Sequence, residues 1–321
     1  RGENPLKTDP DGLPLAQNDG LTYDYITEYS YGILESINLL IPRFMGGGSG
    51  DRLGSDSKLM DFLQGVDSES AQQIYRYASL YWGDQPIVEA PAYVGAAVFF
   101  LAVFGFLAMH KRWRTILLTA TLMSLFFSWG KNADLLTRFL IEYVPFYNKF
   151  RAVSSAQVIL EFCIPLAAVF GVHSLFDKEI RPQVNRLLSK AFFMVISLIA
   201  LVLLATFTFL DFQSGREVFA AYPEIMTPLI QDRKALLLQD LLRTTVFVSF
   251  AYLLCRFGIS TRYQTYVVPM LTLLLLVDLW SFSRNYVNED DFVPKSRIEK
   301  PFMPNDTATT CKGGDGNAND G

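Results

Sequence analysis

Histidine and cysteine are scarce in this chain, two and three among 321 residues. Cys163, Cys255 and Cys311 show neither zinc-type spacing nor a disulfide framework. His110 and His173 each stand at the end of an apolar segment, where a structural or interfacial role outweighs metal binding. No Ser-His-Asp set, metal cluster or paired-carboxylate motif stands out, so no cofactor is evident and a divalent metal has no support in the residues. Gly46-Gly47-Gly48-Ser49-Gly50 lacks the Lys-Ser/Thr ending of a phosphate-binding loop, and reads as a flexible connection. Residues 1–91 are short of positive charge, with six basic side chains against fourteen acidic ones. That balance excludes nucleic acid as a partner, because phosphates attract basic surfaces. The same stretch has no apolar run long enough to span a bilayer.

The rest of the chain is different. Ala191–Leu210, AFFMVISLIALVLLATFTFL, is twenty residues without a charge. A bilayer core about 30 Å thick takes roughly 20 apolar helical residues to cross. A helix apolar all round needs lipid or a large protein interior. Five further apolar runs accompany it: Ala92–Met109, Thr115–Ser128, Gln157–Leu175 with Pro165 inside, Leu236–Leu254 and Val267–Trp280. The sequence therefore predicts an all-α polytopic membrane protein with about six transmembrane helices, extracytoplasmic loops and membrane lipids as its surroundings.

Loops 110–114, 176–190 and 255–266 hold nine basic residues in 32 positions; loops 129–156 and 211–235 hold seven in 53. The denser set, which includes Arg262, is expected on the cytoplasmic side. Both ends of the chain then lie outside. Four parts follow: 1–91, an extracytoplasmic segment with a turn-rich start and short helices near Ile33–Ile41 and Ser68–Leu80; 92–280, the transmembrane domain; 281–304, the start of another extracytoplasmic segment; and 305–321, a polar tail expected to be disordered. Arg1 is preceded by no signal peptide, which reads as a piece of something longer with further spans upstream.

Between the second and third runs, Leu135, Leu136, Phe139, Leu140, Tyr143 and Val144 fall on one helical face, beside an Arg138–Glu142 pair. This predicts an amphipathic helix in the outer interface, with Tyr143, Phe146, Tyr147 and Phe150 in the headgroup zone.

Charged residues in apolar runs mark functional candidates. Glu161, Asp240, Arg243 and Asp278 all lie near the outer ends of their helices. They form either an interfacial set, with Asp240 and Arg243 paired at i, i+3, or a polar site lined by Glu161 and Asp278. Lys149 and Arg151 follow the interfacial helix, at headgroup level. They are candidates for holding the phosphate of a lipid-linked donor, or they make ordinary headgroup contacts. Trp82, Asp84 and Glu89 precede the first run; an aromatic-plus-acid patch suits sugar binding, and Trp also simply favours the interface.

Three phrases in order carry a family resemblance: YDYITEYSYGILESINLLIPRFMGG, YWGDQPIVEAPAYVGAAVFFLAVFGF and VPFYNKFRAVSSAQVIL. Over about residues 1–303 the chain resembles the YfhO-like bacterial membrane proteins, in the form seen in Bacteroidetes. The resemblance implies a multi-spanning protein of the bacterial inner membrane, related to GT-C glycosyltransferases. It implies transfer of a sugar from a polyprenyl-phosphate carrier to an extracytoplasmic cell-envelope polymer. It also puts the catalytic acid in a first outer loop upstream of Arg1, so no catalytic residue is assigned in this chain and activity of the piece alone is not expected. Residues 305–321 depart from the family. A transporter or flippase of envelope precursors is the rival, disfavoured by the lack of an internal repeat. A non-catalytic scaffold is the third reading.

Overall fold

A computed structural model describes residues 21–51, 53–54, 56–259, 263–288, 292–293 and 295. The turn-rich start before residue 21, Arg262, Cys311 and the tail 305–321 lie outside the described residues. Every regular element among the described residues is helical. Three short helices open the chain: α1 (Tyr23–Ile26), α2 (Lys58–Leu63) and α3 (Ser68–Tyr77). The long bundle follows: α4 (Ala96–Ala108), α5 (Lys111–Ser128), the amphipathic α6 (Asp134–Tyr143), α7 (Gln157–Ser174), α8 (Arg181–Thr208), α9 (Pro223–Gly258) and α10 (Gln264–Ser283).

Four helices are long and apolar enough to cross a membrane: α7 with its preceding turn (Val153–Ser174), α8, α9 and α10. This is the build of a helical, multi-pass membrane protein. The sequence pattern predicted six spans, and the difference has two causes. The first run, expected over Ala92–Met109, forms only the 13-residue α4; at 1.5 Å per residue that is about 20 Å. Pro91 and Gly95, the latter at φ 96°, keep the chain non-helical until Ala96. In α5 the basic residues 111, 112 and 114 are the helix's own first turn, not a loop, and His110 Nδ1 caps them by accepting from Arg112 N at 3.3 Å.

Although short, α4 is the hub. Phe100, Leu101, Ala102 and Phe104 are buried against α7, α8 and α9. Leaving aside α6, the six other bundle helices alternate in direction. Ser124 of α5 bonds to Ala156 O and Leu160 N at the start of α7, so α5 and α7 are antiparallel. Arg181 reaches Ile259 O at 3.4 Å, pairing the start of α8 with the end of α9. Asp278 of α10 meets the N-terminus of α4 through Ala97 N.

The 36-residue α9 is about 54 Å long, well beyond a bilayer core. Residues 223–235, expected as loop, are therefore the first turns of a helix longer than a crossing requires. They carry the 21–91 segment. Asp232 accepts from Lys58 N and Leu59 N at 2.7 and 3.0 Å, capping α2. Arg233, 1% exposed, donates to Phe212 O, Ser79 O and Glu217. A second small core of Leu53, Leu59, Leu63, Ile225, Met226 and Leu229 fills the gap.

The glycine run at 46–50 is not a loose loop. Gly46 and Gly47 adopt φ of 90° and 98° and are buried, and Ser49 exchanges bonds with Val88 at 2.7 and 2.9 Å. A Cβ on Gly46 would collide with Leu80 O, so the position needs glycine both for its φ and for the close approach. The helix expected near Ile33–Ile41 is a 3-10 stretch, Leu34–Leu39, and α3 is capped by Asp67, whose side chain accepts from Ser70 N. From Ser281 a second unit begins, holding the last residues of α10 and a Phe282–Tyr286 ring contact at 5.1 Å.

Candidate functional site

At the end of the bundle that carries the 21–91 segment lies a cleft of about 650 Å³. That volume is within the usual range of small-molecule sites, roughly 300–1,000 Å³. One wall is Tyr29, Tyr31 and Glu35. The roof is the irregular stretch from Gln85 to Tyr93. The other wall is Ser154, Ser155, Gln157, Val158 and Glu161, from the turn before α7 and its first turns. Among the described residues, three carboxylates line the cleft and no cationic side chain does.

Glu35 is the buried member, 1% exposed. Its Oε1 accepts from Tyr81 Oη at 2.8 Å and Gln85 Nε2 at 3.0 Å, and its Oε2 accepts from Gly32 N at 2.9 Å. Burial pushes its carboxyl above the usual range, against the pull of those three donors. Tyr31 donates to Glu35 O at 2.9 Å, and burial, followed by the Glu35 charge, raises its phenol. Glu89 and Glu161 are exposed on the rim. Gln157 is 8% exposed, and its Nε2 makes no hydrogen bond among the described residues. It lies close enough to the Tyr31 hydroxyl to ease that phenol's ionisation, without completing a bond to it.

Of the residues singled out in the sequence, Glu161 and Glu89 line this cleft. Arg151 stands beside it, over the rings of Tyr25 (4.7 Å) and Tyr29 (5.4 Å), and donates to Glu28 at 3.0 Å and to Tyr25 Oη at 3.1 Å. Lys149 is exposed on the 3-10 turn Tyr147–Lys149. Left-handed backbone at Phe146 (φ 66°) and Ala152 (φ 61°) brackets the pair. Asp84 is exposed outside the cleft. Trp82 is no stacking platform. It is 6% exposed, with Phe44 and Phe212 at 5.8 and 5.1 Å.

The charges inside the apolar runs also pair differently from the i, i+3 expectation. Asp240, fully buried, takes Arg43 through its N, Nε and Nη2 at 3.0, 2.9 and 2.6 Å. Arg243 instead donates to Asp278 Oδ1 at 2.9 Å and Asp278 O at 2.6 Å. Tyr93, a cleft residue, donates to the same Asp278 Oδ1 at 2.7 Å. Neighbouring segments offered each charge a better-aligned partner than the other. On α6, likewise, Arg138 pairs with Asp134 at 2.9 Å rather than with Glu142. Tyr23 donates to the same Asp134. Leu135, Phe139 and Tyr143 form an exposed apolar stripe, while Thr137 and Leu140 face inward.

Sequence reasoning passed over Glu35, Tyr31 and Gln157. A glutamate inside the otherwise apolar YGILESINLL was the available signal for the first. Gln157 carried none, because a polar residue at a helix start is ordinary. No family model, curated protein or solved structure matches this chain. Among the described residues, no group of three or more metal-ligating side chains occurs.

Proposed function

We propose that the chain is part of a GT-C-like membrane glycosyltransferase of the bacterial inner membrane, which moves a sugar from a polyprenyl-phosphate carrier onto a cell-envelope polymer. The observation that carries this reading is the carboxylate-lined cleft at the end of the bundle that carries the 21–91 segment, beside an exposed amphipathic helix. A carboxylate there would orient or deprotonate an acceptor hydroxyl. Lys149 and Arg151 would meet the carrier phosphate, where negative charge grows as the sugar leaves. In this reading the cleft end is extracytoplasmic, and α4 and α5 lie at membrane depth with the four longer helices, giving six crossings. The strict alternation of the six helices supports that count. The apolar stripe of α6 would rest in the outer interface. The charges inside the apolar runs gather at one end rather than at a midplane site, which argues against a transporter.

Deletion of the gene should remove one sugar substituent from the envelope polymer. The wild-type gene should restore it, and a Lys149→Ala/Arg151→Ala double variant that still inserts should not. An unchanged envelope glycan in the deletion strain would refute the reading.

A further inference from the structure

Among the described residues, Glu89 and Glu161 leave their carboxylates open at the cleft rim, and Gln157, nine-tenths buried in its wall, holds an amide donor without a partner. A buried donor without an acceptor costs free energy, so it marks a place where a ligand atom accepts. The rim asks for the opposite, a ligand that donates. The nearby guanidinium of Arg151 is already engaged by Glu28.

These demands separate the ligand classes. A phosphate would accept from Gln157 but face three carboxylates with no lining cation among the described residues. A bare cation would suit the carboxylates but leave the Gln157 donor unmatched and buried. A hydroxyl both accepts and donates. Several hydroxyls on one rigid ring satisfy floor and rim together, and the half-buried Tyr29 and the Tyr31 ring supply apolar wall.

We infer that this cleft binds an uncharged, hydroxyl-rich group, a neutral saccharide unit, and that any phosphate of a lipid-linked partner lies outside it. The inference deepens the transferase reading by giving the cleft to the sugar side. Its test does not depend on transfer, so the two can fail separately.

The full chain in lipid nanodiscs would be screened on an array of neutral, anionic and amine-bearing saccharides. Inorganic phosphate and spermidine would be titrated in parallel by calorimetry. At least one neutral saccharide should bind saturably. Gln157→Leu should weaken it about five- to tenfold, the loss of one hydrogen bond. Glu161→Gln should weaken it less, and phosphate should not compete. Should Gln157→Leu fail to fold, Ile87→Trp, which fills the cleft from an exposed lining position, should abolish binding with the fold intact. The inference is overturned if no neutral saccharide binds a folded wild type. It is equally overturned if spermidine binds and that binding is lost in Glu161→Gln but kept in Gln157→Leu. Saccharide binding in a protein whose deletion leaves the envelope unchanged would retain the cleft assignment and discard the transferase.

Discussion

Gly105 of α4 and Gly171 of α7 meet backbone to backbone: a Cβ on Gly171 would lie 3.1 Å from Gly105 N and 3.3 Å from its Cα. A Cβ on Gly105 would in turn collide with Ala167 O. Ala167 and Gly171 are spaced as small-xxx-small, the pattern that lets helices in lipid approach closely. In a bilayer the hydrophobic effect gives helices no reason to associate, so dispersion across this flat contact sets the position of α4. The position of α4 in turn places Tyr93 and the cleft roof.

Any side chain at position 105 must therefore push α4 and α7 apart. Gly105→Ala should destabilise by about 1–3 kcal/mol, the usual cost of overpacking, and Gly105→Leu by more. Thermal unfolding in detergent measures both. An unchanged midpoint for Gly105→Leu would mean that the contact is not close in the folded protein.

The Arg243–Asp278 pair should behave asymmetrically. Asp278 is fully buried and the Arg243 side chain is 19% exposed, and Asp278 also receives Tyr93 and Ala97 N. Asp278→Leu alone removes the carboxylate that Arg243 and Tyr93 donate to and should cost about 3–5 kcal/mol, whereas Asp278→Leu with Arg243→Leu should recover much of that loss. Equal destabilisation of single and double variants would show that the ion pair is not what the single change disturbs.

Trp82 separates packing from recognition. Its ring fills the gap between Phe44 and Phe212 and does not line the cleft. Trp82→Ala should lower stability by about 3–5 kcal/mol, while Trp82→Phe folds and binds saccharide as the wild type does. Loss of binding in a stably folded Trp82→Phe protein would return this residue to the site.

Glu35 carries a pH signature. Its folded-state value is raised by burial, so the folded protein holds that proton more tightly than the unfolded chain does. Its contribution to stability is full below the ordinary glutamate value of about 4.3 and is lost as pH climbs through the raised one. Glu35→Gln mimics the protonated form. The melting-temperature difference, wild type minus variant, should fall as pH rises from about 4 towards neutrality. A difference that is flat or rises with pH contradicts this.

Helix identity was written locally. Ala191–Leu210 lies almost entirely within α8, whose apolar stretch allows no other regular structure in lipid. The stripe of Leu135, Phe139 and Tyr143 predicted α6, and Pro91 with Gly95 could have warned that α4 starts late. Segment lengths beyond the apolar runs were not legible: α9 reaches back to Pro223 because the polar half of the helix is held by α2 and the buried Arg233, contacts more than a hundred residues apart in sequence.

The sequence by itself determined that this chain is helical, that its apolar helices suit a bilayer and that its charges gather at helix ends, because periodicity and hydropathy are properties of neighbours along the chain. Tertiary structure alone decided which charges pair and where the cleft lies. Asp240 chose Arg43 over Arg243, Glu35 and Gln157 came to share one cavity with Glu161, and Trp82 went inside. Those outcomes depend on the partner that packing brings within about 3 Å, and a desolvated polar group is stable only where such a partner arrives.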